Sequence, residues 1–207
     1  MVRGLCLLEP FSGETPPAHL DLKRACGVFV FDLFMSGKGL HGMEGWTIRE
    51  CAREEWPQFA GHVRAMWREM GAAEYQIKPR WQEEILRFME RAAETGQFRG
   101  YAAVQNGQIV GSAGGQIFAG LSPALLTADY RQIGYIWGVY VRPEWRGLGM
   151  ASALTQTLVE YLHALGCSQV RLHASPAGRP VYEKLGFLPS TEMRILLPRA
   201  GEAAYAT

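Results

Sequence analysis

The chain reads Val141-Arg142-Pro143-Glu144-Trp145-Arg146-Gly147-Leu148-Gly149-Met150-Ala151 between two segments of different hydrophobic periodicity. Residues 133–141 carry almost no charge, which is typical of a strand covered on both faces. Apolar residues then recur every three or four positions from about Leu148 to Leu165, which predicts an amphipathic helix. Because glycine in a helix costs roughly 1 kcal/mol relative to alanine, helix stability does not explain the glycines at this junction.

A glycine-containing turn between a strand and a helix predicts an anion-binding site. Unpaired backbone N–H groups and the positive end of the helix dipole point to the same place. Gly147 and Gly149 have no Cβ to hold a phosphate oxygen away, Ala151 keeps the first turn narrow, and Arg146 adds a two-pronged cationic donor. The predicted ligand is a phosphate or pyrophosphate. The alternative is a turn in which the glycines serve only the backbone angles.

Two common phosphate-binding motifs do not fit this stretch. The sequence has no G-x-x-x-x-G-K-[ST], which argues against a P-loop nucleotide hydrolase. The dinucleotide fingerprint requires a third glycine where Ser152 stands and an acidic residue near the end of the next strand, where His173 stands.

The composition limits the class of protein. The chain has 207 residues, 48% apolar and 20% charged, with a formal net charge of +1, which predicts one main globular domain. This charge supplies no long-range field for a polyanion, so we expect no nucleic-acid partner and no membrane partner. The apolar run 26–31 is far shorter than the roughly 20 residues that span a bilayer, and it does not resemble a secretory signal. Four widely separated cysteines indicate reduced thiols and a cytoplasmic protein.

The chain divides into three predicted regions. Residues 1–45 contain several glycines and prolines and little periodicity, which predicts a loosely structured extension or an arm. One hypothesis is that Met43 is the natural start, because strand-like sequence begins at Trp46. We assign residues 46–198 to one domain and 199–207 to a C-terminal tail. Outside the segments already described, the pattern predicts strands over 46–49, 98–104, 108–118, 168–173 and 191–197, and helices over 54–70, 79–95 and 177–185.

Two motifs resemble those of the GCN5-related N-acetyltransferase (GNAT) superfamily. The first is the acyl-CoA pattern [QR]-x-x-G-x-[GA], which here is Arg146, Gly149 and Ala151. The second is Y-x-x-L-G-F, which here runs from Tyr182 to Phe187. A predicted helix and strand separate the two motifs, as in that superfamily. The resemblance implies an α/β (α+β) fold with one domain, a mixed and mostly antiparallel central sheet, a splayed strand pair and helices on both faces.

The resemblance also implies roles for residues at matching positions. Backbone groups of Val139, Tyr140 and Val141 would pair with the pantetheine arm of acetyl-CoA, and an amide of this strand would polarise the thioester carbonyl. Tyr182 matches the tyrosine that protonates the departing thiolate, since a phenol with a pKa of about 10 stays a donor at neutral pH. Without the resemblance, Tyr182 is better explained as a packing aromatic. The pyrophosphate would be held by Arg146, Gly147, Leu148, Gly149, Met150 and Ala151, with Ser152 adjoining them.

The group that deprotonates the acceptor amine is not evident from the sequence. An alkylammonium is neutral in only about one molecule in 2,500 at pH 7, so a base or a water relay must assist. Many relatives place a glutamate on the strand before the turn, but residues 132–137 contain no carboxylate. Tyr135 could relay a proton and His173 could accept one, although each has a purely structural alternative. We expect Glu144 to be a solvated charge.

In the superfamily, the first two helices and their connection line the acceptor site. That region here contains Trp67, Glu74, Tyr75 and Trp81, which could hold an amine or could be ordinary core and surface residues. The spacing of His163 and Cys167 supplies too few ligands for a metal site, so we expect none.

The sequence is therefore interpreted as an N-acetyltransferase that uses acetyl-CoA as cosubstrate. The acceptor is expected to be the primary amine of a small molecule or peptide, attacked directly in a ternary complex. The alternatives are a non-catalytic acyl-CoA-binding module and, with less support, an NAD(P)-binding oxidoreductase. A homodimer is compatible with these interpretations.

Overall fold

The computed structural model describes residues 45–95, 97–118, 127, 131–190 and 192–193. The chain divides into two units, Met1–Gly39 and Leu40–Thr207, and all described residues belong to the second. Apart from Gly45, the predicted extension lies outside the described residues, and so does the tail 199–207. The predicted last strand, 191–197, also lies outside them except for Glu192 and Met193, which are not in a strand.

Within the described ranges, five strands form one sheet in the order β1-β2-β3-β4-β5. The first four strands pair antiparallel, and β4 and β5 pair parallel, which confirms the predicted mixed, mostly antiparallel sheet. The turn between β2 and β3 places Asn106 and Gly107 at positive φ, as expected for a two-residue hairpin. The strands are β1 Trp46–Glu50, β2 Arg99–Gln105, β3 Gln108–Ile117, β4 Ile133–Val141 and β5 Gln169–Leu172.

Helices cover both faces of this sheet, as predicted. The buried side chains of α1 and α2 form one core with Phe98 and Trp137. Those of α3 form a second core with residues such as Val110 and Ile136. Among the described residues, no helix is long and apolar enough to cross a membrane. The helices are α1 Trp56–Glu69, α2 Trp81–Glu94, α3 Met150–Ala164 and α4 Arg179–Lys184.

A β-bulge in β4 places aromatic side chains toward α1 and α2. Tyr140 pairs with Ser112 and Trp137 pairs with Gly114, so one residue of β3 opposes two residues of β4. Gly138 occupies the bulge with φ +64°, a conformation that other residues rarely adopt. After the bulge, Tyr140 lies against His62 of α1, with ring centroids 5.3 Å apart.

The pairing of β4 with β5 ends before β4 does. Its last pair is Ile136 with Leu172, so residues 139–141 have β3 on one side and, within the described part of the chain, no paired strand on the other. The family resemblance predicted a splayed strand pair here, and at this position β5 ends at Leu172 while β4 continues to Val141. The resulting open edge of β4 ends directly at the glycine turn.

Candidate functional site

The glycine turn presents backbone N–H groups that have no acceptor. The amides of Trp145 and Arg146 bond to the carbonyls of Arg142 and Pro143 at 2.9 and 3.3 Å, and the first bond into α3 runs from the Ala153 N–H to the Gly149 carbonyl. Between them, the N–H groups of residues 147–152 have no hydrogen-bond acceptor within the described part of the chain. These consecutive donors at the N-terminus of a long helix fit a diphosphate.

The two glycines of this turn are required by the backbone. Gly147 and Gly149 have φ values of +82° and +81°, and Gly149 is the N-cap of α3. A Cβ built on either glycine has no protein atom within 4 Å. Glycine is therefore required here because the backbone is left-handed, and not because neighbouring atoms would clash with a side chain. The side chains of Leu148 and Met150 diverge, since Leu148 is exposed and Met150 is buried in the core.

Arg146 is engaged by protein groups. Its Nε donates to the Val141 carbonyl at 2.9 Å, and its Nη2 donates to Glu69 Oε2 at 2.7 Å. The guanidinium also lies 5.5 Å from the ring centroid of Tyr140. Arg146 therefore ties the glycine turn to β4 and α1, which leaves Nη1 without a partner among the described residues.

The backbone N–H and C=O groups of successive residues in β4 point alternately toward β3 and toward the open edge. The Arg142 N–H bonds to the Val110 carbonyl of β3, whereas the Val141 carbonyl points away from β3, toward Arg146. Because peptide groups alternate along a strand, Val139 and Val141 present theirs at the open edge and Tyr140 faces β3. Of the three predicted pantetheine contacts, two therefore lie at the open edge, where the carbonyl of Val141 is already occupied by Arg146 Nε.

Tyr182 lies on the short helix α4. It is 9% exposed, and its ring makes an edge contact with Phe187, with centroids 5.9 Å apart. The hydroxyl has no hydrogen-bond partner in the described part of the chain. Burial raises the pKa of the phenol, so it remains protonated at neutral pH.

Glu69 was missed by the sequence analysis. Its carboxylate accepts a hydrogen bond from the Tyr140 hydroxyl at 2.9 Å as well as one from Arg146. Nothing in the helical pattern of residues 54–70 sets Glu69 apart, because its partners lie 71 and 77 positions away in the sequence.

The structure brings together two residues that the sequence suggested separately. The Tyr135 hydroxyl hydrogen-bonds to Nδ1 of His173, just beyond the last pair of β4 with β5. Burial, and to a smaller extent the Glu192 carboxylate, raises the pKa of Tyr135. Glu144 forms an exposed ion pair with Arg142 at 2.6 Å, as expected of a solvated charge.

A groove between α1 and α2, which we call the helix groove, consists of two adjoining cavities of about 580 and 250 Å³. Trp67 and Trp81 line it, but Tyr75 does not. Glu74 forms exposed ion pairs with Arg64 at 2.8 Å and with Arg68 at 3.5 Å. The large apolar residues of the lining are Trp67, Met70, Trp81, Ile85, Phe88 and Trp137.

No group of three or more His, Cys, Asp or Glu side chains that could hold a metal ion occurs among the described residues. Cys167 is buried, and burial raises the pKa of its thiol, which disfavours the reactive thiolate.

Comparison with known proteins identifies the family. The sequence profile of the Acetyltransferase (GNAT) family matches residues 49–187, which include strands β2 to β5, the glycine turn and Tyr182. A glucosamine 6-phosphate N-acetyltransferase of Trypanosoma brucei brucei is 41% identical over 81 residues, which is 39% of this chain. The match spans about half (52%) of the length of that curated relative.

Solved structures share the fold at low sequence identity. A protein from Clostridium acetobutylicum named as a predicted acetyltransferase, crystallised with acetyl-CoA, has a TM-score of 0.64 at 23% identity over 73% of this chain and 95% of its own. The aminoglycoside N-acetyltransferase AAC(6')-Iy in complex with CoA has a TM-score of 0.58 at 18% identity over 75% and 95%. The family match, the open edge of β4 and the amides of the glycine turn agree with one another. The chain therefore belongs to the acetyltransferase (GNAT) family.

Proposed function

We propose that the protein transfers an acetyl group from acetyl-CoA to a primary amine by direct attack in a ternary complex. The observation that carries this proposal is the run of unpaired N–H groups at residues 147–152, which continues the open edge of β4. These amides would hold the diphosphate of acetyl-CoA, and the peptide groups of Val139 and Val141 would hold the pantetheine arm.

The transfer step exchanges the C–S bond of the thioester for a C–N bond. The neutral amine attacks the thioester carbonyl carbon, the C–S bond breaks with its electron pair on sulfur, the nitrogen then loses one proton, and the sulfur gains one. An amide of β4 at the open edge would stabilise the negative charge on the carbonyl oxygen.

Tyr182 is the proposed acid. Its hydroxyl has no competing partner among the described residues, and burial keeps it protonated, so it can donate to the departing thiolate.

The proposed base is the pair formed by Tyr135 and His173. Their hydrogen bond lies where β4 and β5 separate, so it adjoins the edge at which the thioester would lie. His173 can take the proton of the amine through Tyr135 or through water.

The test of the proposed function measures binding and turnover separately. Calorimetry with acetyl-CoA should show binding, and release of free CoA thiol should occur with at least one amine from a panel. Tyr182→Phe should lower kcat by about 10²-fold and leave the Kd of acetyl-CoA unchanged. Tyr75→Phe, at a position that is 80% exposed, is the control. Binding without any turnover would indicate a non-catalytic acyl-CoA-binding module.

The proposed base has its own signature in the pH profile. Tyr135→Phe and His173→Gln should lower kcat/KM most near pH 7, where an alkylamine is neutral in only about one molecule in 2,500. The deficit should shrink as the pH rises, because the neutral amine then needs no base. A deficit that stays constant with pH would exclude this pair as the base.

A further inference from the structure

The helix groove is aromatic where it approaches the open edge of β4. Trp137 lines it and lies one residue before the bulge at Gly138. The Trp137 ring contacts Phe88 of α2 and Phe59 of α1, with centroids 5.3 and 5.4 Å apart. A molecule that reaches the transfer edge from this side therefore meets apolar ring surfaces.

The charged side chains along the groove neutralise one another. Arg64 pairs with Glu74 at 2.8 Å, and its guanidinium lies 5.3 Å from the ring centroid of Trp81. Lys78 pairs with Glu84 at 3.6 Å. The charged residues of the lining are Arg64, Lys78 and Glu84, and each forms an exposed ion pair, while Arg64 Nε is a buried donor with no partner in the described part of the chain.

We propose that the helix groove binds a primary amine on an apolar body about the size of an aromatic ring. This inference rests on the proposed acetyl transfer and specifies its acceptor. Recognition of a phosphorylated amino sugar requires free arginine or lysine donors. Recognition of a polycationic aminoglycoside requires free carboxylates. The charged groups of the described lining already form ion pairs, and most of the lining is aromatic or aliphatic, so we expect this acceptor to differ from the sugar phosphate named for the trypanosomal relative.

An apolar groove also favours the reactive form of the amine. Removal of water disfavours the charged ammonium and lowers the pKa of a bound amine, which increases its neutral fraction. The larger cavity, at about 580 Å³, falls within the range of about 300 to 1,000 Å³ that is usual for small-molecule sites.

The experiment measures acetyl-CoA-dependent thiol release with four acceptors: 2-phenylethylamine, n-hexylamine, glucosamine 6-phosphate and kanamycin. We expect kcat/KM for 2-phenylethylamine to exceed that for either sugar by about 10- to 100-fold, the range expected for burial of one ring. n-Hexylamine should follow 2-phenylethylamine, because it too is an apolar monoamine.

Substitutions in the helix groove test directly whether it binds the acceptor amine. Trp67 and Phe88 are 54% and 40% exposed, so their truncation leaves the buried core intact. Trp67→Ala and Phe88→Ala should each raise the KM for 2-phenylethylamine several-fold and leave the KM for acetyl-CoA unchanged. Tyr75→Ala removes an exposed aromatic side chain from the same connection outside the lining, and it should change neither constant.

The outcomes separate this inference from the proposed function. Turnover of glucosamine 6-phosphate or kanamycin equal to or above that of 2-phenylethylamine would overturn the inference and leave acetyl transfer established. An absence of acetyl-CoA binding would instead contradict the proposed function. A dimer that dissociates on Trp67→Ala would show that a second copy of the chain covers the groove, which also overturns the inference.

Discussion

Arg146 belongs to the acyl-CoA motif, but two nitrogens of its guanidinium already donate hydrogen bonds to other groups of the protein. Its Nε and Nη2 bond to the Val141 carbonyl and to Glu69, so it fixes the start of the glycine turn relative to β4 and α1. A lysine keeps the charge but cannot make both contacts, because it lacks the planar fork. The arginine is therefore expected to act mainly by positioning the turn.

We expect Arg146→Lys to weaken acetyl-CoA binding by about tenfold, which corresponds to roughly 1.5 kcal/mol for one charge-assisted hydrogen bond. Calorimetric titration with acetyl-CoA measures this change. Arg142→Lys is the matched control, because the Arg142 side chain forms an exposed ion pair with Glu144 and lysine retains its charge. Equal affinity of Arg146→Lys and the unchanged protein would show that charge alone suffices.

The buried residue His62 makes the stability of the fold depend on pH, independently of catalysis. The residue is 7% exposed, and its Nδ1 lies 3.0 Å from Oγ of the buried Ser112. Burial, with a smaller contribution from Arg142, lowers the pKa of the imidazole from 6.5 to about 4. The unfolded chain therefore takes up a proton at a higher pH than the folded chain does.

This shift predicts a loss of stability as the pH falls from about 6.5 to about 4. Below that window the loss from His62 amounts to roughly 3 kcal/mol. Urea unfolding at a series of pH values measures it. His62→Gln should flatten the curve between pH 6.5 and 4, while a His163→Gln control should not. Parallel curves for His62→Gln and the unchanged protein would contradict the assignment.

At the scale of elements, the junction of β4 and α3 depends on two left-handed residues. Gly147 and Gly149 both lie near φ +80° in open space, so substitution costs backbone energy without a clash. Gly61, in the middle of α1, also has no atom within 4 Å of a built Cβ, but its φ lies outside the left-handed region.

Alanine substitution at Gly149 and at Gly61 should therefore change the stability of the protein in opposite directions. Gly149→Ala is expected to destabilise the protein by about 1 to 2 kcal/mol and to weaken acetyl-CoA binding, because the turn must distort. Gly61→Ala should stabilise the protein by about 0.5 to 1 kcal/mol. Thermal unfolding measures both changes. Stabilisation by Gly149→Ala would show that the left-handed turn is not required by the fold.

At the scale of the whole molecule, ligand binding to the open edge and the glycine turn should stabilise the fold. At a concentration of 100 times its Kd, acetyl-CoA adds about 2.7 kcal/mol. For a protein of this size, this corresponds to an increase of roughly 5 to 11 °C in Tm. Differential scanning fluorimetry tests this, with NAD⁺ as the comparison ligand. A shift with NAD⁺ and none with acetyl-CoA would favour the oxidoreductase alternative.

The sequence predicted the elements well where hydrophobic periodicity was sustained. β4 begins and ends where the apolar run does, and α1, α2 and α3 lie within the predicted helices. The reason is that residues on a buried face are apolar, so they recur in the sequence with the spacing of the helix or strand. The bulge at Gly138 was not predicted, since a single inserted residue leaves no periodic signal.

The sequence by itself determined the glycine turn, the strand before it and the helix after it, because these depend on neighbouring residues and on backbone angles that only glycine adopts readily. The tertiary structure decided which side chains meet. Glu69 reaches Arg146, Tyr135 reaches His173, and Trp137 lines the groove between α1 and α2. These contacts join residues far apart in the chain, and their geometry depends on strand register and helix packing, which local sequence does not encode.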